Sequence, residues 1–151
     1  SSWKREGTLN VNHQLQIADI RHVVGFVPQD DVLHPELTVE QNLYYSSETR
    51  LPASFTAGDK KLLRDEIINV LSLEHARHTQ IGDESSRGVS GGQRKRLNVA
   101  MELMSEPSLL ILDEPTSGLD ARSAMELIRQ CRDLATAGRT DVLGYARHPR
   151  R

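Results

Sequence analysis

The chain has 151 residues with 19 Lys+Arg against 21 Asp+Glu, a formal net charge of −2, and is long enough for one domain, or a large piece of one, with a real core. That balance supplies no summed field to hold nucleic acid or an anionic membrane, so any anion site has to be local. A single cysteine, Cys131, excludes an internal disulfide framework and a cysteine-based zinc cage.

In chain order, GTLNVNH (Gly7 to His13) is a short segment with Leu/Val alternation, and HVVGFV (His22 to Val27) is a stronger strand closed by Pro28. TVEQNLYYSSE opens a helix on a Thr38 cap, and Tyr44 and Tyr45 on it read as packing residues. DKKLLRDEIINVLSL, from Asp59, sets Leu63, Ile67, Val70 and Leu71 on one helical face. A further helix follows the glycine pair Gly91–Gly92 and is stopped by Pro107. LLIL (Leu109 to Leu112) reads as a strand buried on both faces. A helix from about Ala121 to Ala135 closes at Gly138, with Leu127, Ile128, Cys131, Leu134 and Ala135 on one face, so Cys131 reads as core filler. The tail GRTDVLGYARHPRR makes a poor strand, because Asp141 and Gly144 interrupt it. No stretch approaches the ~20 apolar residues of a membrane span, and SSWKREG lacks a signal-peptide hydrophobic region, so the chain as given reads as soluble. Strand, helical insert, strand and helix in that order point to an α/β sheet interrupted by a helical subdomain.

Two stretches carry chemistry. In VSGGQRKR (Val89 to Arg96), Ser90 and Gln93 fit a capping box. The box leaves the glycines unexplained, since each costs up to about 1 kcal/mol in a helix relative to alanine. It also leaves Arg94, Lys95 and Arg96 unexplained, since cations in a first turn oppose the helix dipole. An anion held on free N–H groups at that terminus would offset both. In LLILDEPTSGLD (Leu109 to Asp120), the strand delivers two carboxylates to its C-terminal edge, where α/β sheets bind ligands. Asp113 suits a Mg²⁺ site, directly or through water, and Glu114 can polarise an attacking water.

With these motifs in this order, the chain resembles the nucleotide-binding domains of ABC transporters. VSGGQ is similar to the family signature, LLILDE to the Walker B strand, SGLD to the D-loop and GFVPQDD to the Q-loop, with Gln29 as its glutamine. The longer stretches GFVPQDDVLHPELTVEQNLYYSSETRLP and GVSGGQRKRLNVAMELMSEPSLLILDEPTSGLD resemble the G subfamily, half transporters whose cassette precedes the membrane domain. The resemblance runs from about Gly7 to Thr140.

The resemblance implies an α/β fold: a partial P-loop NTPase (RecA-like) sheet with an inserted helical subdomain of the ABC ATPase type. Residues 1–30 would be partial ATPase core, 31–106 the helical subdomain ending in the signature helix, and 107–151 core again. It implies ATP and Mg²⁺ as cofactors, with Glu114 and Gln29 catalytic and Asp113 and Gln29 at the metal. Ser90, Gly91, Gly92 and Gln93 would cap the γ-phosphate held by a second cassette facing head to tail, in a homo- or heterodimer, and Asp120 would carry information across that interface. Gly92→Asp would then block dimer closure and leave the monomer folded. The implied partners are that second cassette and a transmembrane domain of the same full-length protein, which would hold the cassette at the cytoplasmic side of a membrane; nucleic acid is not among them.

Two departures stand beside the match. No GxxxxGK[ST] occurs in the chain, and family layout puts it roughly twenty residues ahead of Ser1, so the chain as given is expected to be inactive alone. A switch histidine is expected near Ala146, and His148 stands about two residues late; it is either that switch or part of a divergent tail. Two other readings are a soluble ABC-type ATPase of the DNA repair or translation class and a catalytically inert partner fragment.

Overall fold

A computed structural model of the chain describes residues 10–11, 15–16, 24–83, 88–138 and 141–145. Among them are strands β1 (Asn10–Val11), β2 (Leu15–Gln16), β3 (Val24–Val27), β4 (Leu109–Asp113) and β5 (Asp141–Tyr145). The α-helices are α1 (Val39–Arg50), α2 (Ala57–Val70), α3 (Gly91–Leu103) and α4 (Ala121–Thr136), and a 3₁₀ turn spans Glu74–Ala76.

β3, β4 and β5 form a parallel sheet in that order, with Val27 opposite Leu112 and Asp113 opposite Tyr145. Three helices are inserted between β3 and β4, and α4 carries the chain from β4 to β5. The α/β reading therefore holds, with two changes. β1 and β2 pair antiparallel with each other as a separate two-stranded sheet and do not extend the parallel one. The tail, read as a poor strand, forms β5 in register with β4 from Asp141 to Tyr145. Pairing with a formed neighbour outweighs intrinsic strand preference there, and a Cβ at Gly144 would meet nothing within 4 Å.

Helix starts follow the local chemistry of the sequence. Thr38 accepts from the N–H of Gln41 at 3.2 Å while the Gln41 side chain accepts from the N–H of Thr38 at 2.9 Å. Thr56 and Asp59 repeat the box, which starts α2 at Ala57, two residues before the predicted start. Gly138, at φ 69°, follows the end of α4.

The core is one cluster to which β3, β4 and all four helices contribute, with Leu43, Ile68, Leu97, Leu110 and Leu127 fully buried. Each such side chain contributes about 1.5–3 kcal/mol of transfer free energy. α3 is central: it packs on α1, α2, α4 and β3, and Lys95 through Ala100 are buried without a break. Over Lys95–Ala100 the helix is enclosed and cannot send its polar residues to water, so it must pair them internally.

Three packing expectations change. Ile128, placed on the inner face with Leu127 and Cys131, is 48% exposed beside the buried Leu127. Tyr44 and Tyr45 are 43% and 54% exposed; they meet edge to face at 5.3 Å, and the Arg64 guanidinium lies 5.1 Å from the Tyr44 ring centroid. β4 buries Leu110 and Leu112 but leaves Leu109, Ile111 and Asp113 half-buried, so it is covered fully on one face only.

Candidate active site

Parallel pairing of β3 with β4 brings their carboxyl ends to one sheet edge. Pro28 and Gln29 leave β3 there, and Asp113 and Glu114 leave β4 there. Gln29 is exposed, and the two acids are half-buried. Glu114 sits at φ 44°, in the left-handed region that a residue with a Cβ enters at a cost of order 1–3 kcal/mol. The turn that follows holds it, with Ser117 N–H donating to the Glu114 carbonyl at 3.0 Å and Leu119 N–H to that of Thr116 at 3.2 Å.

Asp120 then caps α4. Its carboxylate accepts from the N–H groups of Arg122 and Ser123, each at 3.0 Å, and from the Ser123 hydroxyl at 2.7 Å. The Ser123 hydroxyl first, and then its N–H, hold the Asp120 carboxyl below the usual carboxylate range.

Ser90 caps α3 through the expected box: Gln93 N–H donates to Ser90 Oγ at 3.2 Å and Ser90 N–H to Gln93 Oε1 at 2.8 Å. Gln93 is thereby engaged with its own helix. Helix geometry leaves the N–H groups of Gly91 and Gly92 without an intrahelical carbonyl.

The basic run finds its explanation inside the chain. Arg94 donates to the carbonyls of Ile81 at 3.1 Å and Gly82 at 3.0 Å. Lys95 donates to the carbonyl of Gln29 at 2.6 Å and pairs with Asp31 at 3.0 Å. Arg96 pairs with Glu126 of α4 at 2.7 Å. These cations therefore have intramolecular partners and do not by themselves call for an external anion. Gly92 likewise has a packing reason, since a Cβ there would lie 2.9 Å from Ser123 Oγ and 3.0 Å from Ser123 Cβ. Of the pair, Gly91 is the open one, with the Leu119 side chain 3.9 Å from where its Cβ would be.

The site residues thus fall into two groups. Gln29, Asp113 and Glu114 share the sheet edge, while Ser90 to Gln93 adjoin Asp120 through Ser123; among the described residues no hydrogen bond joins Ser90, Gly91 or Gly92 to Asp113 or Glu114. His148 lies outside the described residues. Sequence reasoning missed Ser123, Asn98 and Gly88. A Cβ at Gly88 would stand 2.1 Å from the Ile81 carbonyl oxygen, and a glycine directly before VSGG was the available signal of so close a backbone approach.

The profile of the family "ABC transporter" matches residues 2–117. The chain belongs to the ABC transporter family. Among its relatives, ABC transporter G family member 28 of Arabidopsis thaliana is 48% identical over 87% of this chain and 12% of its own length. ABC transporter G family member 25 of Oryza sativa is 42% identical over 91% of this chain and 14% of its own, and member 26 of Arabidopsis thaliana is 44% identical over 91% and 20%. Among solved structures, cbiO1 of Clostridium perfringens, described as part of the ABC transporter complex cbiONQ, aligns with a TM-score of 0.68 at 25% identity, over 87% of this chain and 50% of that one. The fold of this ABC transporter segment is therefore that of an ABC ATPase with G-subfamily homologues, and it spans between 12% and 20% of the length of these relatives. No helix among the described residues is long and apolar enough to cross a membrane.

Proposed function

We propose that this chain is the part of an ABC cassette that supplies the Q-loop, signature, Walker B and D-loop elements of an ATP-hydrolysing, G-subfamily export protein. The observation that carries the reading is the shared carboxyl edge of β3 and β4, from which Gln29, Asp113 and the left-handed Glu114 all leave the sheet. Asp113 and Gln29 offer oxygen donors suited to a cation that takes few protein ligands and completes its shell with water and phosphate. That Mg²⁺ would neutralise charge on the β- and γ-phosphates of bound ATP. Glu114 orients and polarises the attacking water, Gln29 fixes the same water from the neighbouring strand, and the Pro28 link after β3 limits the travel of Gln29.

Residues 31–106 form the helical subdomain in this reading, and 1–30 and 107–151 belong to the ATPase core. The signature acts on the nucleotide of a second cassette through the Gly91 and Gly92 N–H groups, with Asp120 at the interface. A transmembrane domain elsewhere in the full-length protein holds the pair at the cytoplasmic side of a membrane.

The test is a mixed dimer of full-length subunits. Gly91→Asp is the signature lesion of choice, because a Cβ at Gly91 makes only ordinary contact. Placed on one subunit with Glu114→Gln on the other, it should leave one composite site intact and roughly half the ATP turnover. Both lesions on one subunit, paired with wild type, should abolish turnover. The reverse pattern would mean that each signature serves its own chain, and equal turnover in all combinations would remove these residues from the site.

A further inference from the structure

The segment after β3 owes its position to α3. Asp30 to Leu33 make no backbone–backbone hydrogen bond among the described residues, and two side chains of α3 do the holding. Lys95, its side chain 6% exposed, donates to the carbonyl of Gln29 at 2.6 Å and pairs with Asp31 at 3.0 Å. Asn98, one turn on, donates to the Asp31 carboxylate and accepts from the N–H of Val32 at 3.3 Å. Residues 95 and 98 share a helical face, so both ties run between the same two elements. A buried ammonium needs its partners, since an unpaired charge at such a site is strongly destabilising, and this favours the closed tie.

We propose that Lys95 is a positioning residue for Gln29, and that it joins the signature helix and the Gln29 segment into one body. This rests on the functional reading above and deepens it. Ser90 to Gly92 serve the partner's nucleotide and Gln29 serves the nucleotide of its own chain, so the Lys95 tie carries the state of one composite site to the other. Engagement of the α3 terminus by the partner is then felt at the Gln29 carbonyl without passing through Asp120.

The test compares wild type, Lys95→Met, Gln29→Ala and the double variant in the full-length protein, by amide hydrogen exchange, ATP affinity and kcat. Lys95→Met should speed exchange of the Val32 amide, which donates to Asn98, by about tenfold or more while α3 stays protected. It should leave ATP affinity within about twofold, lower kcat by about tenfold, and cause no further loss on the Gln29→Ala background. Asp31→Asn, which removes the ion pair and spares Lys95, should shift exchange and kcat the same way by a smaller factor, and serves if Lys95→Met does not fold. An additive loss in the double variant, or unchanged exchange at the Val32 amide, overturns the proposal. Should wild type itself fail to turn over ATP, the functional reading falls, and the exchange result alone decides: faster exchange at the Val32 amide with α3 still protected upholds the tie, and unchanged exchange there overturns it.

Discussion

Gly92 and Ser123 are in contact across the α3–α4 junction, with 2.9 Å between Ser123 Oγ and the place a Gly92 Cβ would occupy. The same hydroxyl donates to Asp120 at 2.7 Å, so the glycine of the signature and the acid of the D-loop meet through one serine. Gly92→Asp is thus a packing lesion as well as a charge lesion, so a loss of stability is expected beside its effect on dimer closure. Gly92→Ala should be destabilising by about 1 kcal/mol, overpacking of roughly 1–3 kcal/mol being partly offset by the better helix propensity of alanine. Gly91→Ala should stay within about 0.5 kcal/mol of wild type. A urea-denaturation cycle with Ser123→Ala should give a coupling of at least about 0.5 kcal/mol for Gly92→Ala and none for Gly91→Ala.

Acid should weaken the helical insert through Arg77. Its guanidinium donates to Glu40 of α1 at 2.6 Å and to Asp65 of α2. The Arg77 hydrogen bond holds the Glu40 carboxyl below its ordinary range. Partial burial pushes the Asp65 carboxyl up, but Arg77 and Lys61 outweigh it and the net direction is down. Depressed folded-state values mean stability that is present above the unfolded pKa of about 4 and lost as pH falls through the lower folded values. Melting temperatures from pH 7 down to about 3 should therefore fall more steeply for wild type than for Arg77→Met, and parallel curves would show that the pairs contribute nothing.

Cys131 should be inert while the chain is folded. It is buried, and burial pushes its thiol up to about 11, so almost no thiolate exists at pH 8. A thiol reagent should label it in urea and not in buffer. Because the folded value is raised, the associated stability is complete below the unfolded pKa of about 8.5 and is lost as pH rises toward 11. Cys131→Ser should flatten that alkaline limb.

The purified 151-residue chain should hydrolyse no ATP above background although it carries Glu114, since it contains no GxxxxGK[ST] to cradle the phosphates. Steady turnover that Glu114→Gln abolishes would contradict this.

The Thr38 cap and the Ser90–Gln93 capping box were readable in the sequence because each closes within four residues, whereas the equally local Thr56–Asp59 box was overlooked and the start of α2 set at Asp59. The β4 strand and its two terminal acids were readable from LLILDE for a related reason: a run of apolar residues ending in charge defines both a buried element and its edge. The partners of Arg94, Lys95 and Arg96 were not, because they lie 13, 66 and 30 positions away, and only the enclosure of α3 obliges those cations to face inward. The same holds for Gly92 against Ser123 and Gly88 against Ile81, where glycine answers a neighbour that the local sequence does not name. β5 came from pairing with β4 against its own poor propensity, and the exposure of Ile128 depends on what lies over one flank of α4. Local hydrogen bonding and hydrophobic period are properties of a short segment and can be read from it, whereas burial, charge pairing and close approach are set by which distant segments the fold brings together.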